Sequence, residues 1–183
     1  MRVLAIVGSL GASSSNKALV ATAASAAPAG VEVAVFDRLG TLPFFDPDLG
    51  HPELPADARE DAAHALGAVL ALRRAILASD SLLIACPEYG HSLPGALKNA
   101  IDWLIGTGEL ERKVVAITAS VPHTERGRRG LAALAQTLGA VSAQIAWREP
   151  IVRGTEAASL PALFAALVRV AEEAASDPLF SQR

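Results

Sequence analysis

Long apolar runs, disulfide partners and surplus charge are all missing from this chain. No stretch approaches the ~20 consecutive apolar residues that a membrane helix requires, although 51% of the residues are hydrophobic. A single cysteine, Cys86, excludes an internal disulfide framework and any site built from several thiolates. Aromatic residues make up only 4%, with Tyr89 the one tyrosine. A net charge of −3 without a basic tail leaves no electrostatic footprint for nucleic acid. The four histidines form no i, i+4 pair with a carboxylate, so no metal site is expected. The apolar run at residues 3–7 ends in a Gly/Ser turn and is too short for a signal-peptide core. The single cysteine fits a reducing compartment, with cytoplasm the expected address.

What is present is a regular alternation of short apolar runs and amphipathic stretches along 183 residues, a length ordinary for one domain spanning 1–183. Strands are expected at 3–7, 31–36, 81–86, 113–118 and 141–147. Helices are expected at 17–27, along the stripe Leu66, Val69, Leu72 and Ile76, from Pro94 through Leu104, at 126–138 and at 160–175. Residues 37–55 read as a long loop with prolines at 43, 47, 52 and 55. Five βα units of this kind imply a doubly wound α/β fold with a five-stranded parallel sheet and helices on both faces. The continuous apolar run at 81–86 marks its central strand, buried on both sides.

Two loops at the carboxyl ends of strands carry chemistry. The first, after strand one, holds Ser9, Ser13, Ser14, Ser15 and Asn16 ahead of a helix amino terminus, where free N–H groups and the helix dipole favour an anion. Capping of that helix by Ser14 or Ser15 is an equally simple account of the same residues. The spacing fits neither the dinucleotide fingerprint nor a P-loop. The second loop, Pro87 to Ser92, follows the central strand and offers Tyr89 as a flat ring surface.

Taken together, Gly8-Ser9-x4-Ser14-x-Asn16 and Pro87-Glu88-Tyr89-x2-Ser92-x-Pro94-Gly95-x-Leu97-Lys98-Asn99-Ala100-x-Asp102-Trp103 resemble the NADPH-dependent FMN reductases of the flavodoxin-like superfamily. The resemblance implies a sheet of strand order 2-1-3-4-5. It places the FMN phosphate on Ser9, Ser14, Ser15 and Asn16, and the isoalloxazine along Pro87, Glu88, Tyr89, Gly90 and Ser92. A third loop, after strand four, brings Ser120, with Val121 and Gly127 nearby, to the other side of the flavin. It further implies NADPH or NADH as co-substrate, with flavin, quinone, azo or metal-oxyanion compounds as small-molecule acceptors. The assembly it implies is a homodimer or homotetramer. Hydride transfer through FMN needs no catalytic acid, base or nucleophile, so binding residues are expected rather than a triad. The chain departs from the pattern at Gly11, where an arginine is usual, and at Gly90-His91. A non-catalytic FMN-binding electron carrier or redox sensor is the alternative, and a true flavodoxin's Thr-rich phosphate loop is absent.

Other residues read as structural. Cys86 is expected to be a small buried filler, and Trp103 and Trp147 packing or interface residues. The basic cluster Arg126, Arg128 and Arg129 suits either the 2′-phosphate of NADPH or a solvated helix start.

Overall fold

The apolar start of the chain forms β1 (Arg2–Val7), and its alternate side chains enter two different cores. In the computed structural model, which describes residues 1–49 and 56–176, β1 is followed by α1 (Ser15–Ser25), β2 (Glu32–Phe36), a 3-10 turn (Leu39–Thr41), α2 (Ala56–Leu77), β3 (Ser81–Ala85), α3 (Gly95–Asp102), β4 (Val114–Thr118), β5 (Ser120–Val121), α4 (Arg128–Ala140), β6 (Gln144–Arg148), β7 (Ile151–Val152) and α5 (Glu156–Ser176). Leu4 and Ile6 join Leu82, Ile84, Val115 and Ile117 under α2, α3 and α4. Val3, Ala5 and Val7 join Leu83, Ala85, Val114 and Ala116 under α1 and α5. From Val3 to Val7 the strand is apolar and buried at every position, as burial on both faces demands.

The large sheet has the order β2-β1-β3-β4-β6, parallel throughout. This is the anticipated 2-1-3-4-5 arrangement, the fifth strand of the sheet being β6 once the short β5 is counted. β3 is central and fully buried along its length, as its continuous apolar run required. The sheet places the ends of β1, β3 and β4 side by side, and the loops that leave those ends meet.

Several boundaries shift for local reasons. Pro94 is the N-cap of α3 and not a first-turn residue: its carbonyl accepts from the N–H groups of Leu97 and Lys98, both at 3.0 Å. α4 starts at Arg128, two residues later than the sequence suggests, because Gly127 takes the left-handed conformation at φ 83°. α5 starts at Glu156, ahead of Pro161, since the Thr155 carbonyl accepts from Ala158 and Ser159 and opens the helix before the proline is reached. α2 begins at Ala56, well before the apolar stripe that betrayed it. The anticipated loop at 37–55 contains the 3-10 turn with Leu39 buried, and its prolines at 52 and 55 lie outside the described residues.

The pair β5·β7 was not foreseen. Two parallel residues on each strand, held by Ile151 N–H to Ala119 O and Arg153 N–H to Val121 O, both 2.9 Å, carry the chain past the end of β4. They give the third loop a backbone support of its own.

Candidate functional site

Three loops surround a cleft of about 490 Å³ at the carboxyl ends of β1, β3 and β4. That is the size of an ordinary small-ligand pocket.

The first wall is built by the start of α1. Ser14 is its N-cap, extended at φ −67° and ψ 127°, with its Oγ accepting the Asn16 N–H at 3.2 Å. Its carbonyl takes the N–H groups of Lys17 and Ala18. The N–H and hydroxyl of Ser15 have no partner among the described residues. Ser9 is buried and sits 3.3 Å from the Tyr89 hydroxyl, so the first and second loops touch through two side chains. Gly8 allows that approach: its N–H donates to Ala85 O at 2.8 Å, and a Cβ there would lie 3.2 Å from both Leu97 and Pro87.

Asn16 is buried, and its Oδ1 accepts the Ser120 N–H at 2.9 Å. It thus ties the first loop to the third, leaving its Nδ2 as the donor it can offer to a ligand.

The second wall is a tight turn. Tyr89 and Ser92 exchange backbone hydrogen bonds at 3.0 Å each, and Gly90 and His91 between them have φ values of 57° and 62°. Two positive φ values define a primed hairpin turn, for which glycine is suited and histidine is strained. Ser92, whose carbonyl accepts the Tyr89 N–H and would lie 3.3 Å from a Cβ on Gly130, is the one anticipated site residue that does not line the cleft. Ser9, Ser14, Ser15, Asn16, Pro87, Glu88, Tyr89, Gly90 and Ser120 are all brought to its walls.

Glu88 turns its carboxylate toward α4. Oε2 accepts the N–H groups of Arg129 at 3.0 Å and Gly130 at 3.2 Å, and Oε1 lies 3.3 Å from His91 Nδ1. A side chain from one loop thereby caps the helix that follows another, satisfying two of the amides that open every helix. Burial works to raise the Glu88 pKa, but the hydrogen bonds from Gly130, His91 and Arg129 outweigh it and hold the carboxyl below its ordinary value. Beneath it Cys86 is fully buried, its thiol pushed up to about 12 by burial and by the charge of Glu88. A thiol so poised stays neutral and is no nucleophile.

The third wall contains Ala119, Ser120, Val121, Arg126 and Gly127. Gly127 has no room for a side chain: a Cβ would lie 2.9 Å from Val121 Cγ1 and 3.2 Å from Ala119 Cβ. His91 and Ala119 line the cleft without having been anticipated as site residues, and nothing in the sequence distinguished them. Of the basic cluster offered either to a phosphate or to solvent, Arg126 lines the cleft.

The second motif also acts away from the cleft. Asn99 donates to Pro43 O at 2.8 Å and accepts the Phe45 N–H at 2.8 Å, while Trp103 donates to the same Pro43 carbonyl at 2.9 Å. Phe45 packs edge-on against Trp103 with ring centroids 5.1 Å apart. Trp103 is thus a packing residue, as expected. Among the described residues no group of metal-ligating side chains forms, and no helix is long and apolar enough to cross a membrane.

Residues 1–154 match the family model described as NADPH-dependent FMN reductase. A quinone reductase of Escherichia coli K12 is 36% identical over 105 residues, which are 57% of this chain and 50% of that protein. An NAD(P)H-dependent FMN reductase of Pseudomonas aeruginosa is 38% identical over 106 residues, 56% of this chain and 49% of that one. The chain therefore spans about half the length of these curated relatives. Among solved structures, the flavoenzyme NAD(P)H:(acceptor) oxidoreductase FerB of Paracoccus denitrificans superposes with a TM-score of 0.75 at 25% identity, covering 94% of this chain and 97% of that one.

Proposed function

The chain belongs to the NADPH-dependent FMN reductase family, and from that premise we propose that it is an FMN-dependent NAD(P)H oxidoreductase that passes electrons to small-molecule acceptors, quinones first among them. The observation that carries this reading is the meeting of three loops around one cleft at the carboxyl end of a parallel sheet, the usual ligand position in open α/β folds. Free flavins, azo compounds and metal oxyanions remain in the acceptor class.

The donor set suits FMN. The unpartnered N–H and hydroxyl of Ser15, the hydroxyls of Ser9 and Ser14 and the Nδ2 of Asn16 would take the phosphate at the α1 amino terminus. Pro87, the backbone of Glu88 to His91 and the ring of Tyr89, 55% exposed, would lie along the isoalloxazine, with Ser120 opposite. When bound, FMN supplies the redox centre that takes a hydride from NAD(P)H and releases the electrons to the acceptor. The protein's own task is then to hold and orient. The Glu88 cap fixes the turn against α4, and the bond from Asn16 to the Ser120 N–H fixes the first loop against the third.

A homodimer or homotetramer in the cytoplasm completes the proposal. Exposed Phe45, Leu70 and Ile105, which line one shallow groove, support a self-association face, and light scattering of the purified protein tests it.

The test of the activity is the visible spectrum of the protein as purified, before and after anaerobic NADPH, with the released flavin identified by chromatography. FMN bands that bleach on addition uphold the reading. Flavin that bleaches only with a partner reductase makes the protein an electron carrier, and failure to take up added FMN removes the flavin altogether.

A further inference from the structure

Three arginines crowd the entry to α4, and the structure separates them. Arg128 donates from Nε to the Thr124 carbonyl at 2.9 Å and lies 3.5 Å from Glu149. Arg129 is exposed and outside the cleft lining. Arg126 lines the cleft, and its guanidinium has no partner among the described residues.

Its setting is unusual in charge. Arg126 is the only lysine or arginine among the described lining residues. The only carboxylate there, that of Glu88, is occupied by the amides of Arg129 and Gly130 and by His91. The hydroxyl-bearing first loop has Gly11 where a cation could stand, and Lys17 is turned back to donate to the Leu10 carbonyl at 3.3 Å. Gly127, left-handed and wedged against Val121 and Ala119, fixes the backbone next to Arg126. An unpaired guanidinium sharing a cleft with hydroxyls and a helix amino terminus is matched to a dianionic phosphate, which it meets with paired N–H donors.

We propose that Arg126 grips the phosphate monoester of a ligand in this cleft, making it the residue that separates phosphorylated ligands from their dephosphorylated counterparts. The proposal rests on the flavin and nicotinamide reading given above, which offers two such monoesters: the ribityl phosphate of FMN and the 2′-phosphate of NADPH. In either case Arg126 supplies from the third loop the charge that the first loop lacks.

The experiment compares wild type with Arg126→Ala and Arg126→Lys. Flavin fluorescence gives the affinities for FMN and riboflavin; calorimetry gives those for adenosine 2′,5′-bisphosphate and 5′-AMP. Each is measured over a range of salt. Arg126→Ala is expected to weaken one phosphorylated probe by about tenfold or more, leave its dephosphorylated partner unchanged and flatten the salt dependence. Arg126→Lys recovers part of the loss. A fall for FMN against riboflavin assigns the ribityl phosphate, and a fall for the bisphosphate against 5′-AMP assigns the nicotinamide cofactor. Unchanged affinities for both phosphorylated probes, or equal losses within each pair, overturn the proposal. If wild type binds no flavin, the functional reading falls separately. The bisphosphate pair then decides on Arg126: binding that depends on the guanidinium upholds the grip, and no such binding overturns it.

Discussion

Gly130 and Glu88 are joined by both a hydrogen bond and a close approach. The Gly130 N–H donates to Glu88 Oε2 at 3.2 Å, and a Cβ on Gly130 would lie 3.0 Å from Glu88 Cα and 3.1 Å from its Cβ. Backbone meets backbone here because no side chain intervenes.

Gly130→Ala should therefore act against helix propensity. In an exposed helix that change stabilises by about 1 kcal/mol, but here the methyl meets Glu88 and the Ser92 carbonyl at 3.3 Å and must push the second loop away. We expect a net loss of about 1–3 kcal/mol in urea unfolding, as for other overpacked sites, together with weaker FMN uptake. A gain in stability would show that the loop yields freely.

The carboxylate itself sets a pH dependence. Its folded pKa lies below the ordinary value, so its contribution is complete above the ordinary carboxylate range and is lost as pH falls through the depressed folded value. Glu88→Gln keeps an acceptor for the two amides but cannot titrate. The variant should be less stable than wild type by about 1–2 kcal/mol near neutrality, and the difference should shrink on acidification below about pH 5. Paired thermal melts across that range measure it; a gap independent of pH would remove the charge from the account.

How much of this was legible in the sequence divides along physical lines. The five parallel strands followed from apolar runs such as 81–86, because burial on both faces leaves a one-dimensional signature; their order came with the family resemblance. Two walls of the cleft were legible through loops whose residue types are unusual, the serines before α1 and the Pro87–Ser92 turn; the third, at Ser120, came with the resemblance. What could not be read were contacts between distant stretches. That Glu88 caps α4, or that Asn16 spends its carbonyl oxygen on Ser120, depends on separations of 42 and 104 residues that no local pattern encodes. Pair β5·β7 was invisible because two residues carry no periodicity.

The first loop can be tested with Ser15. Its hydroxyl and N–H have no internal partner among the described residues, so Ser15→Ala removes a donor proposed for the phosphate without orphaning anything in the fold. Thermal stability should change by less than about 0.5 kcal/mol, while FMN should bind several-fold more weakly, in keeping with ~0.5–1.5 kcal/mol for one hydrogen bond. Riboflavin, lacking the phosphate, should bind as to wild type. Equal loss for both flavins, measured by fluorescence quenching, would move the phosphate elsewhere.

Asn99 should show how far the second motif reaches beyond the cleft. Its amide holds both the Pro43 carbonyl and the Phe45 N–H, the two polar groups that fix the segment over Trp103. Asn99→Ala leaves the Phe45 N–H without its acceptor and the Pro43 carbonyl with the Trp103 indole as its remaining donor. Phe45 then loses the backbone anchor that keeps its ring edge-on to Trp103. A cost of about 1–3 kcal/mol is expected, confined at first to this segment because the core strands do not depend on it. Limited proteolysis should cut near residues 43–49 faster in the variant, and the indole emission of Trp103 should shift to the red before global unfolding. Asn99→Asp keeps the acceptor for Phe45 but not the donor for Pro43, so its stability should fall between those of wild type and the alanine variant. If Asn99→Ala instead unfolds in one step with wild-type protease resistance below the transition, the segment is held by its apolar contacts and the motif's asparagine has no clamping role.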